Sequence, residues 1–179
     1  RGAQDGKVID IIGDVHLDIS SDGKSDGTQI YLTDSKGRFH LDLVRIPKPE
    51  PRTIERRGRK QTMTGKPYEI EWGDLDGDGD LDAVYMNYFG SGRAMYSKAL
   101  LANRFVESGK LVFEVVKDAF VGRNAQDEND IALLDADGDG DLDVVCAVLV
   151  SGKCEEKRFL NQGKMASGCM VEKTGALSP

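Results

Sequence analysis

The chain has 179 residues, a formal net charge of −7 and no apolar run near the roughly 20 residues that cross a bilayer as a helix. Its acidity argues against nucleic acid as a partner, because phosphate contacts need a basic surface, and we expect no membrane insertion. The length suits one domain or an array of stacked repeats. Twenty-one glycines and many aspartates favour a turn-rich, all-β protein.

Residues 1–46 are predicted to form a degenerate first repeat. Its loop is DISSDGKSD, and the following segment 30–43 is typical of a strand, a glycine-containing turn and a second strand. Because this loop has lost one carboxylate and has a lysine beside the site, we expect weak cation binding there, or none. The ligands in this register are Asp18, Ser20, Asp22, the Lys24 carbonyl and Asp26.

Residues 47–63 are predicted to be an exposed connector. The stretch RIPKPEPRTIERRGRKQ, at 45–61, carries three prolines and seven basic residues. A solvated linker is the simpler interpretation, and a patch for an anionic glycan or another acidic partner is the alternative.

Residues 64–120 and 121–179 are predicted to be the second and third repeats. The string WGDLDGDGDLDAVYMNY is echoed by LLDADGDGDLDVVCAVL, with first loop aspartates 61 residues apart. Each loop is followed by an apolar strand, a polar turn and another strand. A full repeat is therefore predicted to be a three- or four-stranded antiparallel meander with the aspartate loop between its first two strands. In the second repeat these strands lie near 67–73, 82–88, 93–101 and 111–116, and a short helical turn fits within 95–105.

The aspartates of the second and third loops alternate with residues that point away, which places several carboxylates on one side. A glycine permits the sharp turn, the next carbonyl points inward, and a final aspartate closes the cage. Calcium is favoured over magnesium because an all-protein cage with many carboxylates suits the larger ion, and oxygen ligands disfavour thiolate or imidazole metals. The predicted ligands are Asp74, Asp76, Asp78, the Asp80 carbonyl and Asp82, and Asp135, Asp137, Asp139, the Asp141 carbonyl and Asp143.

Two other interpretations of these loops are weaker. Asp and Gly are common in ordinary β-turns, but carboxylates facing a common point would repel one another without a cation. Helix-loop-helix calcium sites begin in the same way, yet they need a glutamate at the twelfth position and a following helix. Here the twelfth positions are Gln29, Tyr85 and Cys146, and the sequence that follows each is strand-like.

These residues resemble the FG-GAP and VCBS-type repeat family, in which a DxDxDGxxD loop sits in each blade of a β-propeller. GDLDGDGDLDAVYMN matches the calcium loop and following strand, and LLANRFVESGKLVF and RFLNQGKM are similar to the outer hairpin. The resemblance covers Trp72 to about Ala119 and Asp130 to about Lys173 well, and Lys7 to Ile46 loosely. It implies a bladed, calcium-stabilised β structure, usually extracellular or at the cell surface, in adhesion or assembly.

The number of repeats departs from the family pattern. A closed propeller usually needs four or more blades, and this chain has at most three. The resemblance therefore implies a fragment, an open arc, or a structure completed by several chains. An open arc leaves sheet edges unpaired, which favours self-association or docking to another surface protein or glycan.

We find no catalytic motif in the sequence. His16 and His40 lie in or beside predicted strands and are interpreted as structural, Cys146 as buried, and Cys154 and Cys169 as a pair that could form a disulfide. The expected function is therefore a non-catalytic calcium-binding module, with two calcium ions bound and a third more weakly. The alternative is a fragment of a calcium-dependent propeller enzyme, a lyase or hydrolase acting on carbohydrate.

Overall fold

The computed structural model describes residues 6–23, 27–42, 46–47, 51–56, 58–63, 65–88, 96–122, 128–150 and 153–173. Over these residues the fold is all-β, as predicted, and its strands pair antiparallel except at one edge; none of the sheets is closed. The strands form three larger sheets, which we call units 1, 2 and 3, and one separate hairpin.

Unit 1 is a four-stranded meander in which sheet order follows chain order. Its strands are β1 (Gly6–Ile9), β2 (Asp18–Gly23), β3 (Gly27–Thr33) and β4 (Phe39–Asp42). The predicted connector then contributes a two-stranded hairpin, β5 (Arg52–Arg56) and β6 (Arg59–Met63), and so it has more regular structure than a solvated linker.

Units 2 and 3 repeat this meander. Unit 2 contains β7 (Lys66–Gly73), β8 (Asp82–Tyr88), β9 (Tyr96–Asn103), the one-turn helix α1 (Phe105–Ser108) and β10 (Phe113–Val115). Unit 3 contains β11 (Phe120–Val121), β12 (Glu128–Leu134), β13 (Asp143–Val150), β14 (Lys153–Asn161) and β15 (Met170–Lys173). Strand β11 lies at the outer edge of unit 3, where it pairs in parallel with β15.

The units stack face to face, and unit 2 lies in the middle. Strand β8 is buried on both faces, because Tyr85 packs towards unit 1 whereas Val84 and Met86 pack towards unit 3. This explains why its sequence is almost continuously apolar rather than alternating. The core between units 1 and 2 includes Ile11, Ile30, Ile70, Tyr85 and Leu101, and the core between units 2 and 3 includes Val84, Met86, Leu100, Val144 and Phe159.

The position predicted for the first aspartate loop is wrong. Residues 18–23 form strand β2, which pairs with β3, so the predicted loop is one half of a hairpin. Ser20 is buried on this strand and Asp22 lies further along it, while Lys24 and Asp26 fall outside the described residues. The segment forms a strand because it pairs with the apolar strand β3. Ile19 lies opposite Tyr31 and Ser20 lies opposite Ile30.

Candidate metal centre

The loop of unit 2 joins β7 to β8 and is held at both ends by backbone amides; we call residues 74–82 loop 2. Asp74 Oδ1 accepts hydrogen bonds from the amides of Gly77 and Asp78, at 2.7 and 3.1 Å, and its Oδ2 accepts one from Gly79 at 3.1 Å. Asp82 Oδ2 accepts from the Leu75 amide at 3.0 Å, across the loop. The loop backbone therefore wraps around its own first and last carboxylates.

The loop of unit 3, residues 135–143 or loop 3, has the same arrangement. Asp135 Oδ1 accepts from the amide of Gly138 at 2.7 Å, and Asp143 Oδ2 accepts from that of Ala136 at 2.8 Å. Asp139 Oδ1 accepts from the Asp141 amide at 3.0 Å, just as the corresponding pair does in loop 2. Two copies of one sequence pattern thus form the same local structure.

Unit 1 also has such a loop, but it begins at Asp10, eight residues before the predicted start. Asp10 Oδ1 and Oδ2 accept from the amides of Asp14 and Val15, at 3.0 and 2.8 Å. Asp18 Oδ2 accepts from the Ile11 amide at 2.9 Å, so Asp18 closes this loop and does not open the next one. We call residues 10–18 loop 1.

Loop 1 lacks several features of a cation site. Ile12 stands where loops 2 and 3 have their second aspartate, and Val15 stands where they have their second glycine. Val15 has a φ of 66°, in the left-handed region that β-branched residues rarely adopt, whereas Gly79 occupies the same position with a φ of 102°. The missed signal was the spacing of Asp10, Asp14 and Asp18, which is that of the first, third and last carboxylates of the other loops.

Carboxylates converge in loops 2 and 3. Ligand oxygens of Asp74, Asp76 and Asp78 lie within 4.8 Å of one another, and so do those of Asp135, Asp137 and Asp143. Other members of the predicted ligand set lie outside these groups: Asp82 is fully buried, whereas Asp139 and Asp141 are exposed. Three of the predicted aspartates therefore converge in each loop, and the other predicted carboxylates do not join these groups.

Loop 2 fits a divalent cation by a further criterion. Asp76 Oδ1 and Asp78 Oδ2 are buried without a hydrogen-bond partner. Burial, then the neighbouring carboxylate of Asp78, raises the pKa of Asp76, and burial raises the pKa of Asp82 to about 7. Buried carboxylate oxygens that lack hydrogen-bond partners and lie close together lower the stability of the fold. A hard cation, which prefers oxygen ligands, would compensate their charge and their lost hydration.

Two further carboxylates at loop 2 are possible cation ligands that the sequence pattern did not indicate. Asp80 was expected to point only its carbonyl inward, but its side chain is fully buried and accepts a hydrogen bond from the Val106 amide at 2.8 Å through Oδ2. Glu107, on α1, lies with Asp78 and Asp80 in a second group of ligand oxygens within 4.8 Å. Glu107 is 25 residues beyond the end of the loop, so no local spacing pattern could identify it.

An asparagine at the end of the third strand joins the loops of neighbouring units. Asn103 Nδ2 donates to Leu81 O in its own loop at 3.2 Å and to Ile11 O in loop 1 at 3.3 Å. Asn161 Nδ2 likewise donates to Leu142 O in its own loop at 3.1 Å and to Leu75 O in loop 2 at 2.8 Å. The same hydrogen-bond pattern therefore occurs at both interfaces between units.

The histidines and cysteines singled out in the sequence lie outside the aspartate groups of loops 2 and 3. His40 Nε2 lies 3.0 Å from Asp34 Oδ2, and His16 lies in loop 1 rather than in a strand, with Nδ1 3.3 Å from Asp14 Oδ1. All three cysteines are free thiols, so the disulfide considered for Cys154 and Cys169 is not formed, and Cys146 is buried as expected. No helix among the described residues is long and apolar enough to cross a membrane.

No protein-family model matches the chain, and no curated protein matches it with significant similarity.

Proposed function

We propose that this chain is a non-catalytic calcium-binding module of stacked, blade-like β repeats that serves extracellular adhesion, scaffolding or self-assembly. The observation that carries the proposal is the geometry of loop 2 and loop 3. Three aspartates lie within 4.8 Å of one another in each loop, Asp74, Asp76 and Asp78 in loop 2 and Asp135, Asp137 and Asp143 in loop 3, and loop 2 contains buried oxygens that lack a partner. The FG-GAP and VCBS-type resemblance supports calcium as the ion and the outside of the cell as the location.

The proposed role of calcium is to hold neighbouring units together through their loops. Asp82 Oδ1 accepts a hydrogen bond from the backbone N–H of Asn103 at 2.9 Å. Asp143 Oδ1 accepts one from the backbone N–H of Asn161 at 2.8 Å. The side-chain amides of these two asparagines donate to the loop of the preceding unit. An ion that fixes a loop thus also fixes the end of the third strand and the contact between units.

Calcium titration with a chelator control tests this proposal. We expect added calcium to raise the melting temperature of the metal-free chain by several degrees. A site at 100 times its dissociation constant adds about 2.7 kcal/mol, and each kcal/mol shifts the melting temperature by roughly 2–4 °C at this chain length. Magnesium at the same concentration is expected to have a smaller effect.

Variants identify the loops as the source of the effect. Asp76→Asn with Asp137→Asn should abolish most of the calcium-dependent shift, whereas Glu155→Gln, which changes an exposed carboxylate on β14, should leave it intact. A melting curve that is the same with calcium and with excess chelator would rule out the proposal.

The assembly part of the proposal rests on the two outward faces of the stack. Leu134 and Leu149 are each 40% exposed on the outward face of unit 3, which corresponds to the face of unit 2 that packs on unit 3. Val8 and Leu17 are about 60% exposed in unit 1, at the opposite end. We propose that a second copy of the chain covers these faces head to tail, since the same kind of unit already packs there within the chain.

Light scattering with calcium and then with chelator tests the assembly. We expect concentration-dependent association in calcium that is lost with chelator and is weakened by Leu149→Lys. The matched control is Val112→Lys, an exposed apolar residue next to strand β10. A chain that stays monomeric in calcium would contradict head-to-tail assembly without affecting calcium binding.

A further inference from the structure

The loops of units 2 and 3 are not equivalent, although their aspartates are in the same positions. Asp80 is fully buried, whereas Asp141, at the corresponding position of loop 3, is exposed. The difference follows from the segment that comes after β9 in unit 2 and after β14 in unit 3. In unit 2 this segment is the helical turn α1, whose Val106 amide binds Asp80; in unit 3, Lys164 and Met165 stand where unit 2 has Val106 and Glu107.

Loop 2 therefore has a second group of converging carboxylates. Ligand oxygens of Asp78, Asp80 and Glu107 lie within 4.8 Å of one another, separately from the group of Asp74, Asp76 and Asp78. Only Asp78 belongs to both groups, so it can bridge them. Among the described residues of unit 3, no second group of this kind accompanies loop 3.

One member of this second group, Asp80, has a buried oxygen without a partner. The Asp80 side chain is fully buried, and although its Oδ2 is bound to the Val106 amide, its Oδ1 has no hydrogen-bond partner. Native proteins seldom leave a buried carboxylate oxygen unsatisfied, because the group loses its hydration without compensation. Fixing Oδ2 on the amide leaves Oδ1 as the oxygen free to bind a cation.

We propose that loop 2 binds a second calcium ion, held by Asp78, Asp80 and Glu107, next to the ion on Asp74, Asp76 and Asp78. This inference rests on the proposed calcium function and extends it from one ion in loop 2 to two that share Asp78. The competing cation is Arg104, whose Nη1 lies 2.8 Å from Glu107 Oε1 and whose Nε lies 3.1 Å from Glu114 Oε2. Calcium at the second position therefore shares the Glu107 carboxylate with Arg104.

The number of calcium ions bound per chain tests the inference. Isothermal titration calorimetry or equilibrium dialysis in millimolar calcium, after complete removal of metal, should give three ions for the unmodified chain: two in loop 2 and one in loop 3. Asp137→Asn should remove the loop 3 ion and leave two.

Glu107→Gln should reduce the number of bound ions from three to two. When it is combined with Asp137→Asn, the number should fall from two to one. The matched control is Glu114→Gln, which removes the other carboxylate partner of Arg104 but is outside both groups, and it should retain all three ions. Circular dichroism of both variants establishes that they fold, which is expected because the two carboxylates are on the surface.

The failure of this inference differs from the failure of the proposed function. A single ion left in Asp137→Asn, or equal ion counts in Glu107→Gln and Glu114→Gln, would overturn the second position and leave calcium binding intact. An unchanged count with weaker binding in Glu107→Gln would make Glu107 a ligand of a single ion, which also overturns it. No bound calcium at all would overturn the proposed function itself.

Discussion

At the scale of single residues, one asparagine side chain links the loop of a unit to the loop of the preceding unit. Asn103 and Asn161 each use the two N–H groups of one amide, one for their own loop and one for the loop of the preceding unit. Unit 1 has Thr33 at this position, and its single hydroxyl donates to Leu17 O, in its own loop, at 2.6 Å. A hydroxyl has only one hydrogen to donate, so Thr33 cannot bridge two loops in the same way.

Asn161→Asp tests this role, because it changes the two N–H donors into an oxygen with little change in shape. The new oxygen would face the carbonyls of Leu75 and Leu142 in a buried site, which leaves these acceptors unsatisfied and repelled. We expect a loss of about 2–4 kcal/mol in the free energy of unfolding, measured by urea denaturation in saturating calcium.

The control is Gln162→Glu, the same chemical change at the neighbouring exposed residue, for which we expect a change within about 0.5 kcal/mol. Equal stability of the two variants would show that Asn161 does not link the units.

At the scale of secondary-structure elements, two acidic side chains meet between β7 of unit 2 and β12 of unit 3. The pKa of Glu69 is raised to about 8, first by burial and then by a hydrogen bond to Asp130 and by the negative charges of Asp130 and Glu71, while Lys7 lowers it in part. The folded chain therefore keeps a proton on Glu69 at neutral pH, when the unfolded chain has released it.

This pKa shift predicts a pH dependence of stability. Because the folded state binds the extra proton, the contribution of Glu69 to stability is fully present below about pH 4.5 and is lost as the pH rises through 8. The slope is at most about 1.4 kcal/mol per pH unit, and it is less here because Glu69 is only partly buried. Glu69→Gln mimics the protonated acid, so its stability should depend less on pH over this window.

Denaturation between pH 5.5 and pH 8.5, in saturating calcium, checks the prediction; calcium is present so that the loop aspartates remain ionised throughout. Glu55→Gln on the separate hairpin is the control, and its stability should follow that of the unmodified chain. Parallel pH profiles for Glu69→Gln and the unmodified chain would contradict the prediction.

At the scale of the whole molecule, a buried ion pair joins units 2 and 3 inside their shared core. Lys98 Nζ lies 2.5 Å from Glu128 Oε1, and both side chains are fully buried. The same ammonium lies 4.3 Å from the centre of the Phe159 ring, while Lys157 is a more distant partner of Glu128 at 3.9 Å. The pair therefore depends on the two units being stacked in register.

Lys98→Met should destabilise the chain by about 3–5 kcal/mol, because it leaves Glu128 buried without its close partner. Adding Glu128→Leu should recover most of that loss, since the second change removes the unpaired charge. Lys153→Met, at an exposed lysine of β14, is the control and should have little effect. Unfolding midpoints in urea for the single variants and the double variant measure the coupling, and a double variant no more stable than Lys98→Met would contradict this account.

The second and third aspartate loops could be predicted from the sequence, since each is nine consecutive residues whose structure depends on their own side chains and amides. The all-β character followed from the same local patterns. Loop 1 was missed because Ile12 and Val15 interrupt the pattern, while the segment from Asp18 to Asp26 resembles a loop. Only the pairing of β2 with β3 shows which end of a loop Asp18 occupies.

The sequence by itself therefore determined the fold class and the local structure of the two complete loops, because these depend on interactions between near neighbours in the chain. Tertiary structure decided what depends on distant ones. It brought Glu107 to loop 2, placed Asn161 against Leu75 across 86 residues, and buried Lys98 against Glu128. Such contacts form only when whole sheets stack, and no local pattern of residues specifies that stacking.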